Sequence, residues 1–160
     1  MKGSKPLDWT QRIRVGSASL LLLVSSYGAA FQFLCNSMTC TITKWSPSEE
    51  GSFMLAHIPN DTVLLKLVNL KTNTFNLDTI DFVKTSGIGV EIERSSVKKV
   101  VMPAAGHITR LVLARTYLSD IVFDEGNERL ASLIISDSRL KSIPSTIAQL
   151  AALKTIEISK

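Results

Sequence analysis

The stretch "LASLIISDSRLKSIPSTIAQLAALKTIEIS", residues 130–159, decides how the chain is read. It is rich in Leu and Ile, yet their spacing suits neither one long helix nor one long strand. Leu133 and Ile135 form an anchor pair with one residue between them. The same pair recurs upstream as Leu111 and Leu113, as Val90 and Ile92, and as Leu65 and Leu67, and downstream as Ile156 and Ile158. Successive first anchors are 25, 21, 22 and 23 residues apart. A fixed period in this range marks a repeat array.

The match extends beyond the anchors. Ser95, Thr116 and Ser138 follow the second anchor by three residues, then come Val97, Leu118 and Leu140, then Val100, Ile121 and Ile143. Four apolar columns and one hydroxyl column hold register over three repeats. Alternation over Leu111, Val112 and Leu113 is strand-like, with the anchors on one side. No single repeat buries its columns alone, so neighbours must stack. The expected class is an α/β solenoid: a short leucine-rich-repeat array of parallel strands with irregular or short helical returns. Residues 145–153 read as one such helix, since Ser145 is a cap residue and Ile147, Leu150 and Leu153 share a face. Repeats then occupy residues 63–160, about four and an unfinished one, with no cap after the last. A compact α/β domain with short strands is the alternative class.

Residues 1–30 belong to another category. A polar basic region with Lys2, Lys5, Arg12 and Arg14 precedes "SASLLLLVSSYGAA". That order is that of a secretory signal peptide, with Gly28 and Ala30 suiting cleavage before Phe31. The apolar run is shorter than the 18 or more residues of a membrane-spanning helix. The leader also explains the charge. The chain carries 18 basic and 14 acidic groups. Residues 1–30 hold four of the bases and one acid, so the remainder has 14 against 13, a net of +1. That balance gives no argument for nucleic acid or for an anionic membrane, and no spanning segment is expected after cleavage.

In a secreted chain an even cysteine count implies a disulfide. Cys35 and Cys40 are therefore expected to staple an N-terminal cap, residues 31–62, whose strand begins at Cys40. Free thiols or a metal clip are the other readings, but two cysteines cannot supply four ligands. Residues 45–62 read as a loop. Asn60-Asp61-Thr62 is the only N-glycosylation sequon.

Catalytic motifs are scarce, and the chain is expected not to be an enzyme and to need no cofactor or metal. Glu91 and Glu93 share a strand face roughly 7 Å apart, but that face is the solvated one. Gly87-Ile88-Gly89 precedes a strand and lacks the third glycine of a dinucleotide loop. Residues 124–127 read as a polar turn without the spaced ligands of a calcium loop. What remains is the outward strand face. Lys66, Glu91, Glu93, Arg94, Val112, Arg115, Ile134 and Asp137 are its candidate partner-binding residues, and their mixed, gently apolar character suits protein recognition.

The leader followed by "FLCNSMTCTI", the first repeat "LLKLVNLKTNTFNLDTIDF" and the closing "RLKSIPSTIAQLAALKTIEIS" resemble secreted insect leucine-rich-repeat proteins, most closely the leucine-rich immune proteins of mosquitoes. The resemblance implies an extracellular innate-immune recognition or scaffold protein that binds other proteins. Members of that family are longer, with a cysteine-containing C-terminal region and often a coiled coil. A receptor-ectodomain fragment and an intracellular leucine-rich scaffold are the alternatives. The uncapped end is expected to promote self-association through Ile156 and Ile158.

Overall fold

The computed structural model describes the strand Leu20–Val24 by its backbone, and residues 31–36, 38–80, 87–104 and 107–160 in full. Strands carry almost all of the regular structure. One sheet has eight strands, in the order β1 (Leu20–Val24), β2 (Phe31–Asn36), β3 (Thr39–Thr43), β4 (Leu64–Val68), β6 (Ile88–Glu93), β8 (Ile108–Ala114), β10 (Ser132–Ser136) and β11 (Thr155–Ile158). The second sheet has three: β5 (Thr74–Asn76), β7 (Lys99–Met102) and β9 (Asp120–Phe123). Pairing is antiparallel from β1 to β3 and parallel from β3 to β11, so the large sheet is mixed. The small sheet is wholly parallel.

This corrects the expected class. The chain is a mixed-sheet β structure, not an α/β leucine-rich solenoid. The only α-helix among the described residues is the single turn α1 (Pro47–Glu50), joined by 3-10 turns at Phe53–His57, Leu77–Ile80 and Ser145–Gln149. The reason lies in the returns. "KVVM" in β7 and "DIVF" in β9 alternate in burial and are β-branched, which favours a pleated surface over a helix. The last return, expected as a helix capped by Ser145, is a 3-10 turn after Pro144 with no side-chain cap. Leu150 is nevertheless buried, with Ile147 and Leu153 packed against the core.

The anchors lie in register. Leu65 pairs with Val90, Val90 with Leu111, Leu111 with Leu133 and Leu133 with Ile156. From Leu65 to Ile135 both anchor columns are at most 1% exposed. Phe75, Leu77, Val100, Met102, Ile121 and Phe123 supply the opposing side of the core. Each buried side chain of this kind is worth about 1.5–3 kcal/mol relative to exposure.

In the large sheet each strand from β3 to β10 is followed by a residue in the left-handed region: Lys44 (φ 61°), Asn69 (55°), Arg94 (49°), Arg115 (53°) and Asp137 (48°). The conformation costs a non-glycine residue roughly 1–2 kcal/mol, least for Asn and Asp. It is held by the neighbouring strand. The N–H groups of Lys44, Asn69, Arg94 and Arg115 donate to Val68, Glu93, Ala114 and Ser136 carbonyls at 2.8–3.1 Å. The hydroxyl column follows. Ser95 Oγ accepts from Leu70 N–H (3.0 Å) and donates to the Glu93 carbonyl (2.8 Å), tying two strands together. Thr116 and Ser138 accept only from the N–H two residues on, at 3.4 Å.

Candidate protein-binding face

Period-2 alternation sends every second residue of the large sheet away from the core. The pairing register turns those residues into rows. The middle row runs Leu34, Thr41, Lys66, Glu91, Val112, Ile134 and Glu157, one residue per strand from β2 to β11. On one side lie Val68, Glu93, Ala114 and Ser136, and on the other Leu64, Gly89, Arg110 and Ser132. Lys66 Nζ meets Glu91 Oε2 at 2.9 Å, the shortest ion pair of the face. The Glu91 carboxylate raises the Lys66 ammonium above its ordinary value, first by hydrogen bonding and then by charge attraction. One step along the row, Val112 and Ile134 sit side by side, half-buried. Ala114 and Ser136 on one side of them are small, and Arg110 and Ser132 stand on the other.

Gly87 and Gly89 serve packing here. A Cβ at Gly87 would collide with Thr109 Cγ2, and one at Gly89 would lie 3.2 Å from Leu64 Cδ1. Two strands approach closely where a dinucleotide loop would need open backbone.

Of the eight candidate residues, Lys66, Glu91, Glu93, Val112 and Ile134 stand on this face. Arg94, Arg115 and Asp137 do not. They occupy the left-handed positions just past the strand ends, one row further on, where Arg115 Nε and Asp137 Oδ2 are 4.0 Å apart and both side chains are exposed. Sequence reasoning missed Leu34 and Thr41, which extend the row onto β2 and β3. The alternation of Cys40 and Ile42 with Thr41 was a usable signal. It also missed Asn127, a fully buried side chain. Its Nδ2 donates to the Pro103 carbonyl at 2.7 Å, and its Oδ1 accepts from Leu130 N–H at 3.2 Å. That bond pair holds the turn at Gly126 (φ 86°) against the preceding return.

Cys35 and Cys40 form a disulfide across the β2–β3 hairpin. Residues 45–62, expected as a loop, contain α1 and a 3-10 turn, and bury Trp45, Met54 and Ile58. Asn60 is exposed in a turn. Thr62 of the same sequon is buried, its hydroxyl 3.5 Å from Cys40 Sγ. The expected cleavage site at residues 28–30 lies outside the described residues, while Leu20–Val24 within the expected leader is strand β1, paired with β2. Among the described residues, no helix is long and apolar enough to cross a membrane, and no three His, Cys, Asp or Glu side chains group as a metal site. No family model, curated protein or solved structure matches the chain.

Proposed function

We propose that the protein is an extracellular binding module that engages a protein partner through the outward face of the large sheet. The observation that carries the reading is the arrangement around Val112 and Ile134. Two adjacent aliphatics are bordered by the Lys66–Glu91 pair on one side and Glu157 on the other. An apolar centre inside a charged rim is the anatomy of a protein–protein contact. The disulfide is consistent with an oxidising compartment. The insect resemblance suggests innate-immune recognition as the setting. The test is affinity capture from extracellular fluid with the native chain and with Val112→Asp/Ile134→Asp, followed by reconstitution with the purified partner. A partner retained by the native chain and lost by the variant supports the face. Equal retention by both removes it.

A second reading concerns β11, whose only neighbour among the described residues is β10. Ile156 and Ile158 are 47% and 40% exposed. Thr155 and Ser159 donate their N–H groups to Ala131 and Ile135 carbonyls, so the N–H and C=O groups of Ile156 and Ile158 point to the open side. We infer that a second copy pairs here, antiparallel about Ile158. That axis sets Glu157 opposite Ser159, whereas an axis at Glu157 would oppose two like charges. Light scattering on the native chain should show a concentration-dependent dimer that Ile156→Glu/Ile158→Glu abolishes. A native chain that stays monomeric across a wide concentration range ends this reading.

A further inference from the structure

The near-neutral charge balance of residues 31–160 conceals a segregation that only the fold reveals. The corner segments that follow β4, β6, β8 and β10 stack in register, residues 69–73 beside 94–98, 115–119 and 137–141. Ser96 N–H donates to the Leu70 carbonyl, Lys98 N–H to Asn73, Ser119 N–H to Lys98 and Arg139 N–H to Leu118. Leu70, Ser95 and Thr116 at the second position of three corners are buried and Ser138 in the fourth is half-buried, while Val97 and Leu118 at the fourth position are buried. The first, third and fifth residues are exposed in all four corners. Those twelve outward positions carry Lys71, Arg94, Lys98, Arg115, Arg139 and Lys141 against a single acid, Asp137, and no aliphatic side chain. The opposite edge, ahead of the strands, is mixed: Asp61, Asp124, Glu125 and Glu128 lie there with Arg129 and Lys154, all exposed.

Neighbouring strands are about 4.8 Å apart, so six cations line an edge roughly 14 Å long. Arg115 faces Asp137 at 4.0 Å, and Arg139 lies over the Tyr117 ring at 4.6 Å, a contact that orients the guanidinium without neutralising it. At the β4 end the ridge meets an open depression of about 530 Å³. Ser46, Ser48, Thr72, Asn73, Thr74 and Ser96 line it beside Lys71, and Glu49 adds a carboxylate. Hydroxyls and an amide that both donate and accept, with one carboxylate, suit the hydroxyls of a sugar, while the ridge suits anionic groups repeated along a line.

We propose that this corner ridge binds a linear sulfated polysaccharide. Charge complementarity carries the argument: a row of six cations against one acid concentrates a polyanion where an evenly mixed face does not. The disulfide favours a sulfated glycan over nucleic acid, because the oxidising compartments that keep disulfides are where such glycans occur. Only one exposed aromatic, Tyr117, stands among the outward positions, and it is already stacked under Arg139, which leaves no platform for successive bases.

The test is titration of the full chain with heparin over a salt series, alongside Lys71→Gln/Lys98→Gln/Lys141→Gln. The triple variant avoids every left-handed position, and circular dichroism checks its fold. Loss of roughly tenfold or more in affinity, with a salt slope reduced by about one per cation removed, is the expected result. Arg129→Gln/Lys154→Gln, set against Lys71→Gln/Lys141→Gln, makes the same change in net charge away from the ridge and should bind almost as the native chain does. Equal losses in these two double variants would reduce the effect to net charge and overturn the ridge. Tighter binding to a duplex DNA than to heparin, or binding to phosphatidylserine vesicles without binding to heparin, would overturn the glycan in favour of nucleic acid or membrane.

Discussion

β8 and β11 carry the same pattern and meet different fates. Leu111 and Leu113 in β8 are fully buried, while Ile156 and Ile158 hold the equivalent register in β11 at 47% and 40% exposure. Both strands carry their anchors two residues apart, and both join a parallel ladder. The difference is coverage. β8 has a strand on each side and the small sheet across the core; β11 has β10 alone. A hydrophobic column is thus an instruction to pair, and burial depends on what lies on the other side of it.

The largest effect should separate the two strands directly. Leu111→Ala removes a fully buried side chain and should cost about 2–5 kcal/mol, including the cavity it leaves. Ile156→Ala removes a side chain already half in water and should cost about 1 kcal/mol or less. Denaturant unfolding of both variants decides it. Equal losses would mean that the inner side of β11 is covered in solution, which is also what pairing with a second copy would produce. Repeating the measurement at high dilution distinguishes the two.

The same contrast shows how far the residues alone could be read. The pairs at Leu65, Val90, Leu111, Leu133 and Ile156 were legible because a period-2 anchor recurring at a fixed interval leaves few registers open. The class was not, because it depends on the returns. Val100, Val101, Ile121 and Val122 satisfy an irregular return and a strand equally well until the neighbouring return is placed beside them. The outward face was legible for Lys66, Glu91, Glu93, Val112 and Ile134 by alternation. Arg94, Arg115 and Asp137 were assigned to it because the left-handed turn after each strand leaves no mark in residue type: two of the five residues there are Arg, and only Asn69 and Asp137 are the types that tolerate it. The ridge of cations was hidden for the same reason. Its corners recur at intervals of 25, 21 and 22 residues and become neighbours only through the ladder.

The other end of the large sheet offers a second contrast with β11. The β2–β3 hairpin is closed by Cys35–Cys40, and both sulfurs are buried. Where β11 is held by one ladder, this hairpin is also held covalently. Closing so short a loop restricts the unfolded chain by about 2 kcal/mol in the entropy account. Cys35→Ala/Cys40→Ala should therefore lower unfolding stability by about that much, and reduction of the native chain should match it. No shift in the unfolding midpoint on reduction would show that β2–β3 is held by its backbone ladder and the packing of Phe31 and Phe33 alone.

The smallest effect tests the outward face against the inner one. Lys66 and Glu91 are paired at 2.9 Å, with the lysine side chain 38% and the glutamate side chain 16% exposed. Water screens an ion pair so placed, so a double-mutant cycle over Lys66→Ala and Glu91→Ala should return a coupling of about 0.2–1 kcal/mol. The sign with pH follows from the raised Lys66 ammonium. A cation held above its ordinary value of 10.5 adds stability that is complete below that value and disappears as pH rises through the folded value. The coupling should therefore be constant from pH 7 to 9 and fall only above about 10.5, and it should weaken with added salt at every pH. A coupling that survives deprotonation of the lysine would mean that the two side chains interact through their packed stems, and the face would then owe its order to the same apolar contact that orders the core.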